Sequence, residues 1–180
     1  SSWACTDLGT NAIGQGVAVT VLQMASVYAT VASGGVLRPP TLLRGMVDAH
    51  GRVAKAERKP GRRVVSARTA KTLSKILEGV VKEGGTGTAA ALEEWRVAGK
   101  TGTARKPDPN RRGYLPGAYV GSFIGFAPAE RPQVVVAVVI DQPTRGYYGG
   151  SVAAPVFKEV TSAALRRLGV VPTLPAKAVR

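Results

Sequence analysis

The 180-residue sequence contains one cysteine and one histidine, Cys5 and His50. A single cysteine excludes an internal disulfide, and one histidine without a cysteine cluster argues against a zinc site. No metal or other cofactor is expected. Cys5 reads as a plain small residue, and His50, in DAHGR, as part of a hairpin turn. No apolar run approaches the roughly 20 residues that a membrane-spanning helix requires; the longest, Val134 to Ile140, is strand-sized. The opening SSWACTDLGT has no basic stretch leading into an apolar one, so it does not read as a signal peptide. Aromatic residues are sparse at 6 %, and acidic residues are outnumbered 11 to 25 by Lys and Arg, which leaves a net charge of +14.

Such a charge invites a nucleic-acid partner. The excess lies mostly between Arg52 and Lys75, where nine basic side chains meet only Glu57. No aromatics interleave with them, as a single-strand-binding platform would require. The stretch RVAKAERKPGRR reads as a solvated loop, and a basic surface facing an anionic membrane or polymer accounts for it equally well. No nucleic-acid partner is expected. At 44 % hydrophobic residues the chain has a globular composition, long enough for one domain with a core.

Thr20 to Gln23, TVLQ, is a capping box and predicts a helix running to about Ser33, where SGG stops it. A short strand, a turn over Asp48-Ala49-His50-Gly51 and a second short strand follow. Ser66 is placed to cap a helix whose stripe is Leu73, Ile76, Leu77, Val80 and Val81, ended by Gly84-Gly85. TGTAAALEEW predicts one more short helical segment. WRVAGKTGTA and AYVGSFIGFAP read as strands separated by the loop KPDPNRRGYLPG. VVVAVVID, apolar on both faces, is expected to be a central strand. A helix over about Ser151 to Leu168 carries Val152, Val156, Val160 and Ala164 at i+4 spacing, with Pro155 tolerable in its first turn. Short connections make the three strands antiparallel neighbours. The expected class is α+β, an antiparallel sheet with packed helices over residues 1–170, followed by a tail over 171–180.

Residues 98–104, AGKTGTA, hold the most chemical information. Gly99-Lys100-Thr101 could end a phosphate-binding loop, G-x-x-x-x-G-K-[ST]. The first glycine would then be residue 94, which is Glu94 beside Glu93, and two carboxylates repel a triphosphate. That loop must also run into a helix, and ARKPDPNRRG cannot form one. EGGTGT, residues 83–88, follows a helix and reads as a helix stop and restart. On a strand, Thr101 and Thr103 share one face while Lys100 and Gly102 take the other. Paired hydroxyls backed by an ammonium suit a carboxylate held along the strand. Gly102 removes a side chain that would block a backbone lying alongside, and the Thr103 N–H is a candidate oxyanion donor.

AIGQGVAVTVLQMASVYATVASGGVLRPP, EGGTGTAA, VAGKTGTARK, GYLPGAYVGSFIGFAPAERPQVVVAVVIDQP and YYGGSVAAPVF together span about Gly9 to Leu168. In these segments the chain resembles the C-terminal half of class B penicillin-binding proteins, the monofunctional peptidoglycan D,D-transpeptidases, with features closest to the division type. K-T-G is one of that superfamily's motifs. The resemblance implies the serine β-lactamase/D,D-transpeptidase fold. It implies that Lys100, Thr101, Gly102 and Thr103 form one catalytic wall, with Lys100 tuning the proton network at the nucleophile. Thr101 and Thr103 would hold the carboxylate of a stem peptide or a β-lactam. Arg105, Tyr114, Tyr147, Tyr148 and Gly149 would line the substrate cleft.

The superfamily's S-x-x-K and S-x-N are absent: no serine has lysine three residues on, and Thr72-Leu73-Ser74-Lys75 is the nearest pattern. The chain is therefore expected to be an incomplete domain, inactive alone, whose upstream part supplies the nucleophile. Its implied setting is the periplasmic face of the bacterial cytoplasmic membrane, held by an N-terminal anchor outside this sequence. Its implied partners are peptidoglycan stem peptides, β-lactams, the upstream part of the domain, and proteins of the division or elongation complexes. A β-lactamase or β-lactam sensor, and an inactive scaffold, are the alternatives.

Overall fold

The computed structural model describes residues 7–175 except 13 and 15; Cys5 and the tail beyond residue 175 lie outside the described residues. Helix α1 (Asp7–Ala12) precedes α2 (Val21–Ala32), and the predicted capping box is formed. The Gln23 N–H donates to Thr20 Oγ1 at 3.1 Å, and the Thr20 N–H donates to Gln23 Oε1 at 2.8 Å. Two of the helix's orphan donors are thereby satisfied. Strand β1 (Val36–Leu37) leads to a hairpin of β2 (Gly45–Val47) and β3 (Val53–Lys55), whose turn is the one expected at Asp48. There the N–H groups of His50 and Arg52 donate to the Asp48 carboxylate, and the Arg52 guanidinium pairs with it at 2.6 Å. These contacts, the Arg52 N–H first, hold the Asp48 pKa below its ordinary value. The basic loop is not wholly irregular, because β4 (Arg62–Arg63) pairs antiparallel with β1.

Ser66 caps α3 (Ala67–Gly79) by accepting from the Thr69 N–H at 3.0 Å. The helix ends one turn before the expected Gly84-Gly85 stop, and TGTAAALEEW yields only a single 3-10 turn, Thr88–Ala90. Three long strands then form one antiparallel sheet in the order β5 (Ala98–Pro107), β6 (Tyr114–Ala127), β7 (Val134–Asp141). The hairpin between β5 and β6 reaches further into KPDPNRRGYLPG than expected, with Pro107 opposite Tyr114 beyond a bulge. Two helices end the fold, α4 (Gly149–Val152) and α5 (Ala154–Arg167), where the sequence suggested one.

Two expectations are corrected. β7 is an outer strand of this sheet, and β6 is the central one. β7 is apolar on both faces because a helix packs on each. Val134, Val136, Val138 and Ile140 pack with Phe157 and Leu165 of α5. Val135 packs with Tyr28, Val31 and Ala32 of α2. The second correction concerns α5. Its buried stripe is Ala154, Phe157, Thr161 and Leu165, while Val156 and Val160 of the expected stripe are exposed. The large anchors Phe157 and Leu165 outweigh the smaller valines in choosing which face turns inward.

The sheet is thus the middle of three layers. Trp95, Phe123, Phe157 and Leu165 fill the space towards α5 and are all but inaccessible. Phe123 and Phe157 meet with ring centres 4.6 Å apart. Ala98 and Phe126 face α2 and α3 on the other side, where burial raises the pKa of Tyr28. That layer is thinner. An open apolar groove of about 500 Å³ runs over Leu22, Val27, Val31, Leu37, Val65 and Leu73. Beyond α5 the chain folds back, with the Val171 carbonyl accepting from Trp95 Nε1 at 3.1 Å and the Glu94 carbonyl accepting from the N–H groups of Thr173 and Leu174.

Candidate active-site wall

The K-T-G segment lies on the outer strand β5, opposite residues 122–124 of β6. Thr101 and Thr103 share the face towards α4, as the two-residue period requires. Each hydroxyl is held by a different element. Thr103 Oγ1 accepts from the Gly149 N–H at 3.1 Å, which ties the start of α4 to the strand. Thr101 Oγ1 lies 2.8 Å from Thr86 Oγ1 in the 84–88 loop. Lys100, on the opposite face, bends its ammonium back onto Thr101, donating to the carbonyl at 3.1 Å and to Oγ1 at 3.2 Å.

Gly149 is required where it stands. A Cβ there would meet the backbone carbonyls of Ser122 and Gly102 and the Ser122 nitrogen, none of which can yield. At Gly102 the expected reason changes. An added Cβ would strike the Ser122 hydroxyl on the paired strand, so the glycine makes room for β6.

Further along β5, the Arg105 guanidinium carbon sits 6.0 Å from the ring centre of Tyr114, which is itself exposed. Tyr147 and Tyr148 lie together, 4.4 Å apart, and the Tyr147 hydroxyl donates to that of Tyr148 at 3.2 Å. That hydrogen bond is the main reason the Tyr147 pKa is raised. Tyr147 also stacks on Tyr119 at 4.3 Å and 17°. Tyr119 is the strand partner of Arg105, so the YYGG loop and the middle of β5 form one continuous surface. β5 carries Lys100, Arg105 and Lys106 and no carboxylate. Lys106 reaches across β6 to Asp141 at 2.7 Å; Lys100 and Arg105 are left as the strand's positive charges beside the two threonines.

The structure therefore brings together Lys100, Thr101, Gly102, Thr103 and Gly149, and joins Arg105 with Tyr114 and Tyr147 with Tyr148. Two residues escaped the sequence reading. Thr86 lies in a segment whose glycines read as a helix stop, although a Gly-Thr-Gly between two elements is also what a loop pressed against a sheet needs. Tyr119 had only its place on a strand to mark it. Among the described residues, no group of three His, Cys, Asp or Glu side chains is placed to hold a metal ion, and no helix is long and apolar enough to cross a membrane.

Comparison with known proteins identifies the family and the fold. The family described as penicillin binding protein transpeptidase domain matches residues 1–162. A probable peptidoglycan D,D-transpeptidase PenA from Neisseria flavescens is 43 % identical over 174 residues, covering 96 % of this chain and 40 % of the relative. The peptidoglycan D,D-transpeptidase FtsI of Escherichia coli is 38 % identical, covering 94 % and 27 %. Among solved structures, penicillin-binding protein 3 of Mycobacterium tuberculosis complexed with aztreonam superposes with a TM-score of 0.86 at 33 % identity, over 98 % of this chain and 42 % of that one. The chain thus spans less than half the length of each of these proteins. By sequence and by fold it belongs to the penicillin-binding protein transpeptidase domain family, in its class B, division-type branch.

Proposed function

We propose that this chain is the C-terminal part of the catalytic domain of a peptidoglycan D,D-transpeptidase and forms the carboxylate-binding wall of its active site. One observation carries the reading: two threonine hydroxyls on one strand face, Thr101 and Thr103, each anchored by a different element, with Lys100 on the first. A carboxylate aligned along β5 would accept from both hydroxyls while Lys100 and Arg105 balance its charge.

In the complete enzyme a serine from the upstream part attacks the carbonyl of the D-Ala-D-Ala bond. The terminal D-Ala leaves with a proton on its amine, and the acyl group becomes an ester of the serine. An amine of a second stem peptide then takes the acyl group and returns the proton to the serine. The Thr103 N–H is the candidate donor to the oxyanion, a role worth about 3 kcal/mol of barrier where measured. A β-lactam would be held by the same hydroxyls and would leave a stable ester. Tyr114, Tyr147 and Tyr148 would wall the cleft. The enzyme would act on the extracytoplasmic face of the membrane, through an N-terminal anchor and with division-complex partners.

The upstream part has two places to dock: the apolar groove between α2 and α3, and the free edge of β7. Labelling with a fluorescent penicillin tests the whole reading. The complete protein should be labelled on a serine outside these 180 residues, and the isolated chain should not be. Stable labelling of the isolated chain would refute the division of labour. Rapid loss of the label from the complete protein would identify a β-lactamase, and no label at all an inactive scaffold.

A further inference from the structure

Thr86 lies in the EGGTGT segment, between α3 and the 3-10 turn, and is an exposed residue whose hydroxyl reaches β5. Its backbone is fixed by close packing. The Gly87 N–H donates to the Val80 carbonyl at 2.9 Å. A Cβ on Gly87 would meet the Phe123 ring at 2.7 Å, and a Cβ on Gly150 would meet the Thr86 carbonyl itself. The loop is thus pressed between the sheet and the first turn of α4, and Thr86 Oγ1 is held 2.8 Å from Thr101 Oγ1.

A hydroxyl has one proton to give and two lone pairs with which to accept. The Lys100 ammonium can only donate, so it occupies one lone pair of Thr101 Oγ1. The other neighbour is Thr86. If Thr101 donates to Thr86, its single proton is spent. If Thr86 donates to Thr101, both lone pairs are filled and the proton must point out into the open cleft. A carboxylate only accepts, and so it favours the second arrangement.

Building on the function proposed above, we propose that Thr86 is a positioning residue that turns Thr101 into an obligate donor to the substrate carboxylate. Thr86 itself need not touch the substrate. With Thr86→Val the Thr101 hydroxyl regains a free lone pair and rotates between giving and accepting. With Thr86→Ser the donor is kept. The consequence is largest for ligands that carry the carboxylate, because its charged oxygens accept more strongly than the neutral carbonyl of an ester.

The test uses the complete protein, with benzylpenicillin and its carboxyl methyl ester competing against a fluorescent penicillin. The dissociation constant of the encounter complex and the acylation rate constant are resolved separately. Thr86→Val should weaken benzylpenicillin about fivefold to tenfold, mainly in the dissociation constant, as expected for one lost oriented hydrogen bond. The ester should change less than about twofold, and Thr86→Ser should recover most of the loss. Equal losses for acid and ester, or a Thr86→Ser variant no better than Thr86→Val, would show a merely structural role and overturn the inference. An unchanged Thr86→Val protein would overturn it as well. A wild-type protein that neither compound acylates would instead sink the transpeptidase reading, and this inference with it.

Discussion

The two outer strands of the sheet are opposites. β5 is polar, carries Lys100, Thr101, Thr103, Arg105 and Lys106, and is crossed by the 84–88 loop and the start of α4. β7 is apolar from Val134 to Ile140, with Asp141 at its end as its only charge, and has no proline or register shift against its neighbour. Free edges in natural proteins are normally blunted by lysine, proline or bulges, because bare N–H and C=O groups recruit foreign strands. β5 meets this requirement with side chains that also suit a ligand. β7 has no such protection along this stretch, and the proposal above makes its edge a docking site for the upstream part. On the function proposed above, one edge would receive a small molecule and the other more protein.

Substitutions on the two edges should therefore fail in different ways. Gly149→Val forces a side chain into the carbonyls of Ser122 and Gly102 and displaces the N–H that Thr103 accepts. We expect a loss of about 3 kcal/mol, at the upper end for overpacking, read as a fall in the thermal midpoint together with loss of penicillin labelling. A midpoint within a degree of wild type would mean that α4 does not press on β5 as described. On the other edge, Val139 is 38 % exposed and shares the strand face of Val135, which packs on α2. Val139→Lys should leave the chain's own fold intact and weaken its reassociation with a separately expressed upstream part by about tenfold, since an ammonium would have to be buried there. Undiminished capture would show that the β7 edge is not the docking strand. The smallest effect is expected beneath β7. Thr161 Oγ1 is fully buried and has no hydrogen-bond partner among the described residues. Thr161→Val should stabilise by up to about 1 kcal/mol in chemical denaturation. A loss of stability would show that this side of the sheet is less dry than its packing indicates.

Much of this was legible because it rests on local chemistry. Thr20 with Gln23, Ser66 before its helix and Asp48 in its turn satisfy backbone donors close by in sequence, so the pattern alone suffices. The K-T-G segment was recognisable by its motif and by what surrounds it, and a shared face for Thr101 and Thr103 follows from any extended strand. What escaped was set by distant contacts. A run such as VVVAVVID reads the same whether strands flank it or helices cover it, and only tertiary packing decides. The inward face of α5 depended on where Phe157 meets Phe123 across the layer, which no spacing of valines reveals. Thr86 gains its meaning from a residue fifteen positions away, and the glycines around it resembled simple punctuation.

The pair formed by Lys106 and Asp141 links these unlike edges. It spans the middle strand like a tie between two outer rails, close to where Arg105 and Tyr119 face each other. As an exposed ion pair it contributes little to stability, at most about 1 kcal/mol. Its geometry is that of a tie: β5 cannot splay outward at this end without stretching a link to β7. Dissolved salt would weaken that tie.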